Sequence, residues 1–191
     1  MDTNYAILFD ELDKRLEKGR VIISIEGGSA SGKTTLSQIL DEKYDCTVFH
    51  MDDFFLQPYQ RTKERFNEIG GNIDWERFLD EVLIPLRNKS KICYRKFNCS
   101  TMSLGGKIEV NPNKLIVVEG VYSLHPKLEE FYDLSIFLDI SPELQKERIL
   151  KRNNSVFAKR FFEEWIPLEN KYFNETDIKK RSDIVIKISS R

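Results

Sequence analysis

The sequence lacks the features that mark several common protein classes. No stretch reaches the roughly eighteen consecutive apolar residues that a transmembrane helix needs. Acidic residues interrupt the short apolar run near the N-terminus, unlike a secretion signal. The formal net charge is −1, without the basic excess typical of nucleic-acid-binding proteins. We therefore predict that the protein binds neither a membrane nor a nucleic acid.

Cysteine and histidine are scarce. The three cysteines, Cys46, Cys93 and Cys99, form no CxxC pair. An odd number of cysteines without a secretion signal indicates free thiols in a reducing compartment, which predicts a cytoplasmic protein. The sequence has only two histidines, which disfavours a His-based catalytic triad. His125 precedes Pro126 at a predicted helix start and is interpreted as structural or as part of a pocket edge.

Short β-branched runs alternate with helical stretches along the 191 residues. The runs lie at 21–25, 47–50, 115–118, 135–140 and 184–188. Near-continuous apolar strands that alternate with helices predict a parallel sheet covered by helices on both faces. We find no repeat or linker, so the pattern predicts one α/β domain over residues 1–191. An amphipathic helix is predicted at its start, with apolar positions Tyr5, Leu8, Phe9, Leu12 and Leu16.

A glycine-rich cluster closes the first strand. It reads GGSASGKTT and fits GxxxxGK[ST], the pattern of a phosphate-binding loop, between a predicted strand and a predicted helix. Glycines let backbone N–H groups surround phosphate oxygens, and the helix N-terminus adds partial positive charge. This context disfavours the alternative, a turn with an incidental lysine. The residues predicted to bind ATP, with GTP as the alternative, are Gly27, Gly28, Ser29, Ala30, Ser31, Gly32, Lys33, Thr34 and Thr35.

Two side chains of this loop carry specific expectations. Lys33 is expected to reach the β- and γ-phosphates and to take part in catalysis. The Thr34 hydroxyl is expected to bind Mg²⁺. The loop therefore predicts a protein that uses a nucleoside triphosphate with magnesium, but it does not say for what reaction.

Carboxylates follow two further strands. His50-Met51-Asp52-Asp53 comes after the second run, and a carboxylate at the end of a parallel strand beside the first faces the ligand crevice. Asp52 can accept a proton there from an attacking hydroxyl, as a kinase base does, while Asp53 can cap the turn or hold water around the metal. An Asp pair that only caps a turn is the alternative. Glu119, after the apolar run at 115–118, is placed as a second metal ligand, direct or through water.

Four stretches carry a family resemblance. In chain order GGSASGKTT, MDDFF, GGNIDWERF and VVEGVYSLHP resemble the uridine kinase and phosphoribulokinase family of P-loop kinases, from about residue 21 to residue 152. The resemblance implies a five-stranded parallel sheet in a three-layer P-loop fold with a small β insertion and a helical lid. It implies Asp52 as the catalytic base, Thr34 and Glu119 as Mg²⁺ ligands, and Asp74 as the residue that holds sugar hydroxyls. It also allows a homo-oligomer.

The predicted insertion, residues 91–110, departs from the uridine kinase pattern. Uridine kinases have a YDFxTH stretch there, whereas this chain reads FNCSTM. The side chains expected to bind the acceptor are Tyr94 and Phe97, which can stack on something planar. Ordinary packing of a β-hairpin is an equal alternative.

A basic helix is the candidate lid, within a predicted lid region at residues 145–165. Arg148 and Arg152 lie one helical turn apart. Guanidinium groups above the phosphates would offset charge on the phosphoryl group in transfer. A solvated basic helix face is the alternative.

The combined pattern predicts a kinase that transfers the γ-phosphoryl group of ATP to a nucleoside hydroxyl, most simply the 5′-OH of uridine or cytidine. A kinase of another small hydroxylated metabolite is the first alternative, such as nicotinamide riboside, pantothenate or a sugar phosphate. A nucleotide-dependent switch is the second, although the sequence has no NKxD motif, which GTPase switches normally show.

Overall fold

The five predicted strands form one parallel sheet in the computed structural model, which describes residues 5–88 and 90–189. The strands in chain order are β1 (Val21–Gly27), β2 (Thr47–His50), β3 (Ile92–Asn98), β4 (Ser103–Val110), β5 (Leu115–Glu119), β6 (Leu134–Ile140) and β7 (Ile184–Ile188). The sheet has the order β2-β5-β1-β6-β7. The predicted fold class, a P-loop three-layer α/β sandwich, is confirmed.

One detail of the predicted sheet is wrong. The strand that leads to Asp52 was placed beside β1, but β5 lies between β2 and β1. In the register Glu119 is level with Ile25 of β1 on one side and with His50 of β2 on the other. The crossover from β1 to β2 skips one place in the sheet, which β5 later fills, and the hydrophobic pattern of single strands does not encode that gap. As a result, Glu119 stands between the glycine-rich loop and the segment that carries Asp52.

The helices in chain order have the following bounds: α1 (Ala6–Lys18), α2 (Lys33–Tyr44), α3 (Lys63–Asn67), α4 (Trp75–Phe78), α5 (Ile84–Arg87), α6 (Pro142–Arg152), α7 (Ser155–Arg160), α8 (Ile166–Thr176) and α9 (Ile178–Arg181). A π-helical turn, Leu79–Leu83, joins α4 to α5, and another, Phe161–Trp165, joins α7 to α8. The Ser141 hydroxyl caps α6, because it accepts a hydrogen bond from the Leu144 N–H at 3.3 Å. Among the residues described here, no helix is both long and apolar enough to cross a membrane.

Two apolar clusters lie on opposite faces of the sheet. Successive residues of a strand point to opposite faces, so Ile22 of β1 joins one cluster while Ile23 joins the other. The predicted amphipathic helix α1 buries Leu8 and Leu12 against the second cluster, together with α2. The helical segment from α4 to α5 and the helices α8 and α9 contribute to the first cluster. The result is helix, sheet and helix in three layers.

The predicted insertion forms an antiparallel hairpin. Strands β3 and β4 pair with a β-bulge between Arg95 and Phe97. The hairpin packs against the 3₁₀ turn at Met51–Phe54 and the π turn at 79–83. The hairpin therefore borders the segment that carries Asp52.

Candidate active site

The glycine-rich loop runs from the end of β1 into the first turn of α2. Gly27 has φ = +145°, and a Cβ there would lie 2.7 Å from the Leu138 carbonyl oxygen. Gly32, the residue before α2, has φ = +101°. Both positions therefore require glycine. The loop also contains a buried hydroxyl, Ser31 Oγ, for which the described part of the chain offers no hydrogen-bond partner.

Lys33 is folded back over the loop. Its Nζ donates to the carbonyl oxygens of Gly27 at 2.8 Å and Gly28 at 3.0 Å, and the residue is 9% exposed. The two carbonyl oxygens accept hydrogen bonds from the buried ammonium, which has three donor hydrogens. This places positive charge inside the loop, where phosphate oxygens are expected.

Thr34 and Glu119, the two predicted metal ligands, are in contact. The Thr34 Oγ1 donates to Glu119 Oε1 at 3.2 Å. The same carboxylate oxygen lies 2.6 Å from His50 Nδ1, and Glu119 is buried. The hydrogen bond with Glu119 raises the pKa of His50. No sequence pattern indicates this role for His50, because its proximity to Glu119 depends on the β2–β5 register.

Asp52 lies in the 3₁₀ turn that follows β2. Its residue is exposed at the edge of the crevice, yet surrounding protein raises the pKa of its carboxyl by excluding water. Lys33 opposes that rise, while Glu119 adds to it. Asp52 therefore shares its electrostatic surroundings with the loop lysine and the metal-ligand candidate. The neighbouring Asp53 instead forms an ion pair with Lys96 of the hairpin at 3.0 Å.

The predicted lid region contacts the loop through its first helix. Arg148 of α6 donates to the carbonyl oxygen of Ala30 at 3.1 Å and to that of Ser31 at 3.4 Å. Arg152, one turn later, lies over the Phe161 ring with its guanidinium carbon 5.4 Å from the ring centroid. Only Arg148 of the pair touches the loop in this structure.

Three residues predicted to bind the acceptor lie beyond Asp52. Asp74 is buried, caps α4 by accepting from the Arg77 N–H, and lies 3.3 Å from Arg77 Nε. Tyr94 is in the core, where its ring stacks on Phe54 with centroids 5.7 Å apart. Phe97 lies beneath Arg61, whose guanidinium carbon is 5.6 Å from the ring centroid. The surroundings of Tyr94 favour the packing alternative.

Two buried glutamates contact the loop, and neither is among the residues predicted from the sequence. Glu26, the residue before Gly27, is fully buried and accepts hydrogen bonds from the N–H groups of Gly27, Tyr122 and Leu124. Burial raises its pKa to about 7. Glu169 of α8 accepts the Ser29 N–H at 2.9 Å. A Glu before a glycine-rich loop was a visible signal, whereas Glu169 is distant in sequence from the loop.

The sequence of residues 22–156 matches the model of the phosphoribulokinase / uridine kinase family. The match covers well over half of the chain. The chain belongs to this family. Membership supports phosphoryl transfer as the chemistry of the crevice, since the family consists of kinases.

Several curated relatives share modest identity with this family member. It is 28% identical over 189 residues to the uridine kinase of Chlamydia pneumoniae, covering 87% of this chain and 81% of that protein. It is 29% identical over 185 residues to the uridine kinase of Macrococcus caseolyticus, covering 86% of each chain. Another relative, uridine kinase-like protein 5 of Arabidopsis thaliana, is 27% identical over 79% of this chain. That match spans only 37% of the Arabidopsis protein.

Solved structures show the same fold. A possible uridine kinase from Bacillus stearothermophilus superposes with a TM-score of 0.65 at 23% identity, covering 94% of this chain and 99% of that one. YFH7 from Saccharomyces cerevisiae superposes with a TM-score of 0.68 at 16% identity, covering 98% and 100%. At these identities the likeness establishes the fold and not the substrate.

P-loop kinase families generally use ATP and Mg²⁺, and the residues here fit such a cation. A hydroxyl oxygen, Thr34 Oγ1, and a carboxylate oxygen, Glu119 Oε1, lie 3.2 Å apart beside the loop. Magnesium prefers oxygen ligands and is usually held by one or two protein groups together with substrate phosphates and water. Within residues 5–88 and 90–189, no group of three or more His, Cys, Asp or Glu side chains could hold a metal ion by itself.

Proposed function

We propose that the protein is a kinase that transfers the γ-phosphoryl group of ATP to a hydroxyl of a nucleoside, with the 5′-OH of uridine or cytidine as the acceptor. The observation that carries the proposal is the meeting of three groups from separate segments. Thr34 of the loop touches Glu119 of β5, and the charges of Glu119 and Lys33 both act on the Asp52 carboxyl that follows β2. Phosphoryl transfer needs such an arrangement, because its catalysis is mainly positioning and charge stabilisation.

The loop binds the triphosphate. Its backbone N–H groups and the N-terminus of α2 offer partial positive charge to phosphate oxygens. Lys33, which now donates to the Gly27 and Gly28 carbonyls, turns its ammonium toward the β- and γ-phosphates. Thr34 and Glu119 would hold Mg²⁺, which when bound neutralises charge on the phosphates.

Asp52 handles the proton of the acceptor. The acceptor hydroxyl hydrogen-bonds to the Asp52 carboxylate, which orients it toward the γ-phosphorus and takes its proton as the new P–O bond forms. The bond between the γ-phosphorus and the β–γ bridging oxygen breaks, and ADP carries away the electron pair. The raised pKa of Asp52 makes this carboxylate a stronger base than an ordinary aspartate.

The lid region limits the reaction to the acceptor. Arg148 already contacts the loop backbone, and Arg152 lies one turn further along the same helix. Closure of this region over the phosphates would exclude water, which competes with the acceptor for the phosphoryl group. Arginine charge near the phosphates would stabilise the transition state.

The acceptor has one alternative class, another small hydroxylated metabolite such as nicotinamide riboside, pantothenate or a sugar phosphate. The altered hairpin sequence, with Phe97 where uridine kinases have Tyr, favours this alternative acceptor class. The names of the bacterial relatives support a nucleoside. A nucleotide-dependent switch is a third candidate that neither observation favours.

The experiment is a phosphoryl-transfer screen with Mg²⁺-ATP. The panel contains uridine, cytidine, other nucleosides, nicotinamide riboside, pantothenate and sugar phosphates, with ADP release measured and products identified by mass. We expect ADP release that depends on uridine or cytidine, with a nucleoside monophosphate as product. Phosphorylation of a non-nucleoside alone would refute the acceptor and keep the kinase. No acceptor-dependent ADP release across the panel would contradict the kinase proposal and favour the switch.

A further inference from the structure

The tip of the phosphate loop is held from outside by the lid region and the helix that follows it. All three polar groups of Ser29 are engaged. Its N–H donates to Glu169 Oε2 at 2.9 Å, and its hydroxyl donates to Glu169 Oε1. Its carbonyl oxygen accepts from Gln145 Nε2 of α6 at 2.9 Å. Both carboxylate oxygens of Glu169 are thus used on one loop residue.

Glu169 is a buried carboxylate beside a loop that is expected to bind phosphate. It is 4% exposed, and burial raises the pKa of its carboxyl, which the two hydrogen bonds from Ser29 oppose. A carboxylate removed from water is costly unless its hydrogen bonds are satisfied. The bidentate contact with Ser29 supplies that compensation, so the loop and Glu169 depend on each other.

The same helix holds the loop at a second point. Tyr172, one turn after Glu169 on α8, donates its hydroxyl to Glu26 Oε2 at 3.2 Å. Glu26 in turn accepts the Gly27 N–H at 2.9 Å, at the start of the loop. Helix α8 therefore fixes the loop both at its first glycine and at its tip.

Two roles are compatible with a carboxylate on a phosphate-loop N–H. Glu169 could be an anion that phosphate must displace, or it could be a support that orients the loop for phosphate. Displacement requires the carboxylate to withdraw. Its helix is anchored by Tyr172, which is 1% exposed, and both of its oxygens are already bound. These contacts favour the supporting role.

We propose that Glu169 is a positioning residue for the phosphate loop, which fixes Ser29 so that the remaining loop N–H groups face the nucleotide phosphates. This proposal rests on the proposed nucleotide binding by the loop, but not on the identity of the acceptor. It gives helix α8 a role that no sequence motif indicates. Helix α8 thus becomes part of the nucleotide site without touching the nucleotide.

The test is nucleotide binding by Glu169→Gln, measured by calorimetry with Mg²⁺-ADP and with a non-hydrolysable Mg²⁺-ATP analogue. Gln keeps the shape but removes one of the two acceptor oxygens, and a hydrogen bond to a charged group is worth enough to weaken Kd about tenfold. Glu175→Gln is the matched control, because Glu175 is an exposed carboxylate on the same helix. It is expected to bind both nucleotides like the wild type.

A second variant keeps the proposal testable if Glu169→Gln folds poorly. Ser29→Ala removes the hydroxyl but keeps the N–H, and it is expected to weaken Kd about threefold. In the double variant the two effects should be non-additive, since both act on one contact. In the slow hydrolysis of ATP by water, Glu169→Gln should raise KM for ATP and leave kcat within about twofold.

The outcomes separate this proposal from the proposed function. Unchanged or tighter nucleotide binding by a folded Glu169→Gln would overturn the positioning role, and tighter binding would identify Glu169 as a competing anion. Additive effects of the two substitutions would also contradict it. A wild-type protein that binds neither nucleotide would refute the proposed function and this proposal with it. Failure of the acceptor screen alone would leave this proposal standing.

Discussion

The groups expected to bind phosphate come mainly from the backbone of one short segment, whereas the groups on the acceptor side are side chains that already bind one another. Lys33 donates to two loop carbonyls. Across the crevice Asp74 is paired with Arg77 and Asp53 with Lys96. A nucleotide requires Lys33 to turn away from the loop carbonyls, whereas an acceptor must compete with ion pairs between side chains.

This difference explains why one side of the site can be read from sequence and the other cannot. A phosphate loop works through local backbone geometry, so nine adjacent residues encode it. An acceptor site combines side chains from distant segments, and a pairing such as that between Asp53 and Lys96 leaves no local pattern.

The largest expected effect is on Asp52, where the two sides meet. We expect Asp52→Asn to lower kcat about a thousandfold or more, because the amide cannot take the acceptor proton. Mg²⁺-ATP binding should stay within a few-fold, since the loop is untouched. Acceptor-dependent ADP release and calorimetry measure the two quantities. Near wild-type turnover would show that Asp52 is not the base.

The pH dependence of the wild type tests the same residue. A base must be ionised, so the rate falls as pH drops through its pKa, and the pKa of Asp52 is raised by loss of water around it. The acid limb of kcat/KM, which reports the groups of the free enzyme, should therefore lie above the pH range of an ordinary aspartate. An acid limb at the ordinary aspartate position would contradict the predicted surroundings of Asp52.

A substitution on the acceptor side separates binding from packing. Tyr94 is 6% exposed and packs on Phe54 and Phe49, so Tyr94→Ala is expected to lower the free energy of unfolding by about 3 kcal/mol. Tyr94→Phe keeps the ring and should change neither stability by more than about 1 kcal/mol nor KM for the acceptor. Urea unfolding and acceptor kinetics measure both. If Tyr94→Phe raised KM for the acceptor without changing stability, Tyr94 would be a binding residue after all.

Much of the fold was predictable because its signals are local. The five strands of the parallel sheet and the glycine-rich loop follow from short patterns. The position of β5 between β1 and β2 was not predictable, because each strand alone is compatible with several orders. The contact of His50 with Glu119 depends on that order, and the contact of Glu169 with Ser29 depends on how α8 packs.

Glu26 links the loop to the rest of the molecule, and its titration should be visible in stability. In the folded protein its pKa is raised to about 7 by burial. The native carboxyl therefore keeps a proton that the unfolded chain releases above about pH 4.5. The contribution of Glu26 to the free energy of unfolding is therefore fully present at low pH. It is lost as pH rises toward 7, by about 3 kcal/mol in total.

The measurement is urea unfolding of the wild type and Glu26→Gln between about pH 4.5 and 8. Glu26→Gln carries its own cost, because its amide cannot accept the Leu124 N–H that Glu26 Oε2 accepts. That cost does not depend on pH, so the difference between the two proteins should narrow as pH rises. Parallel pH curves would show that Glu26 is ionised in the folded protein throughout this range.

The smallest expected effect returns to the nucleotide side. Thr34→Ala removes the hydroxyl that touches Glu119, and we expect about a tenfold rise in the Mg²⁺ concentration needed for half-maximal ATP hydrolysis. Thr34→Ser keeps the hydroxyl and should stay within about twofold. If both variants behave alike, the hydroxyl is not a metal ligand and Thr34 contributes only its backbone. The loop would then act on phosphate through backbone groups and Lys33, and the contrast between the two sides of the crevice would be sharper still.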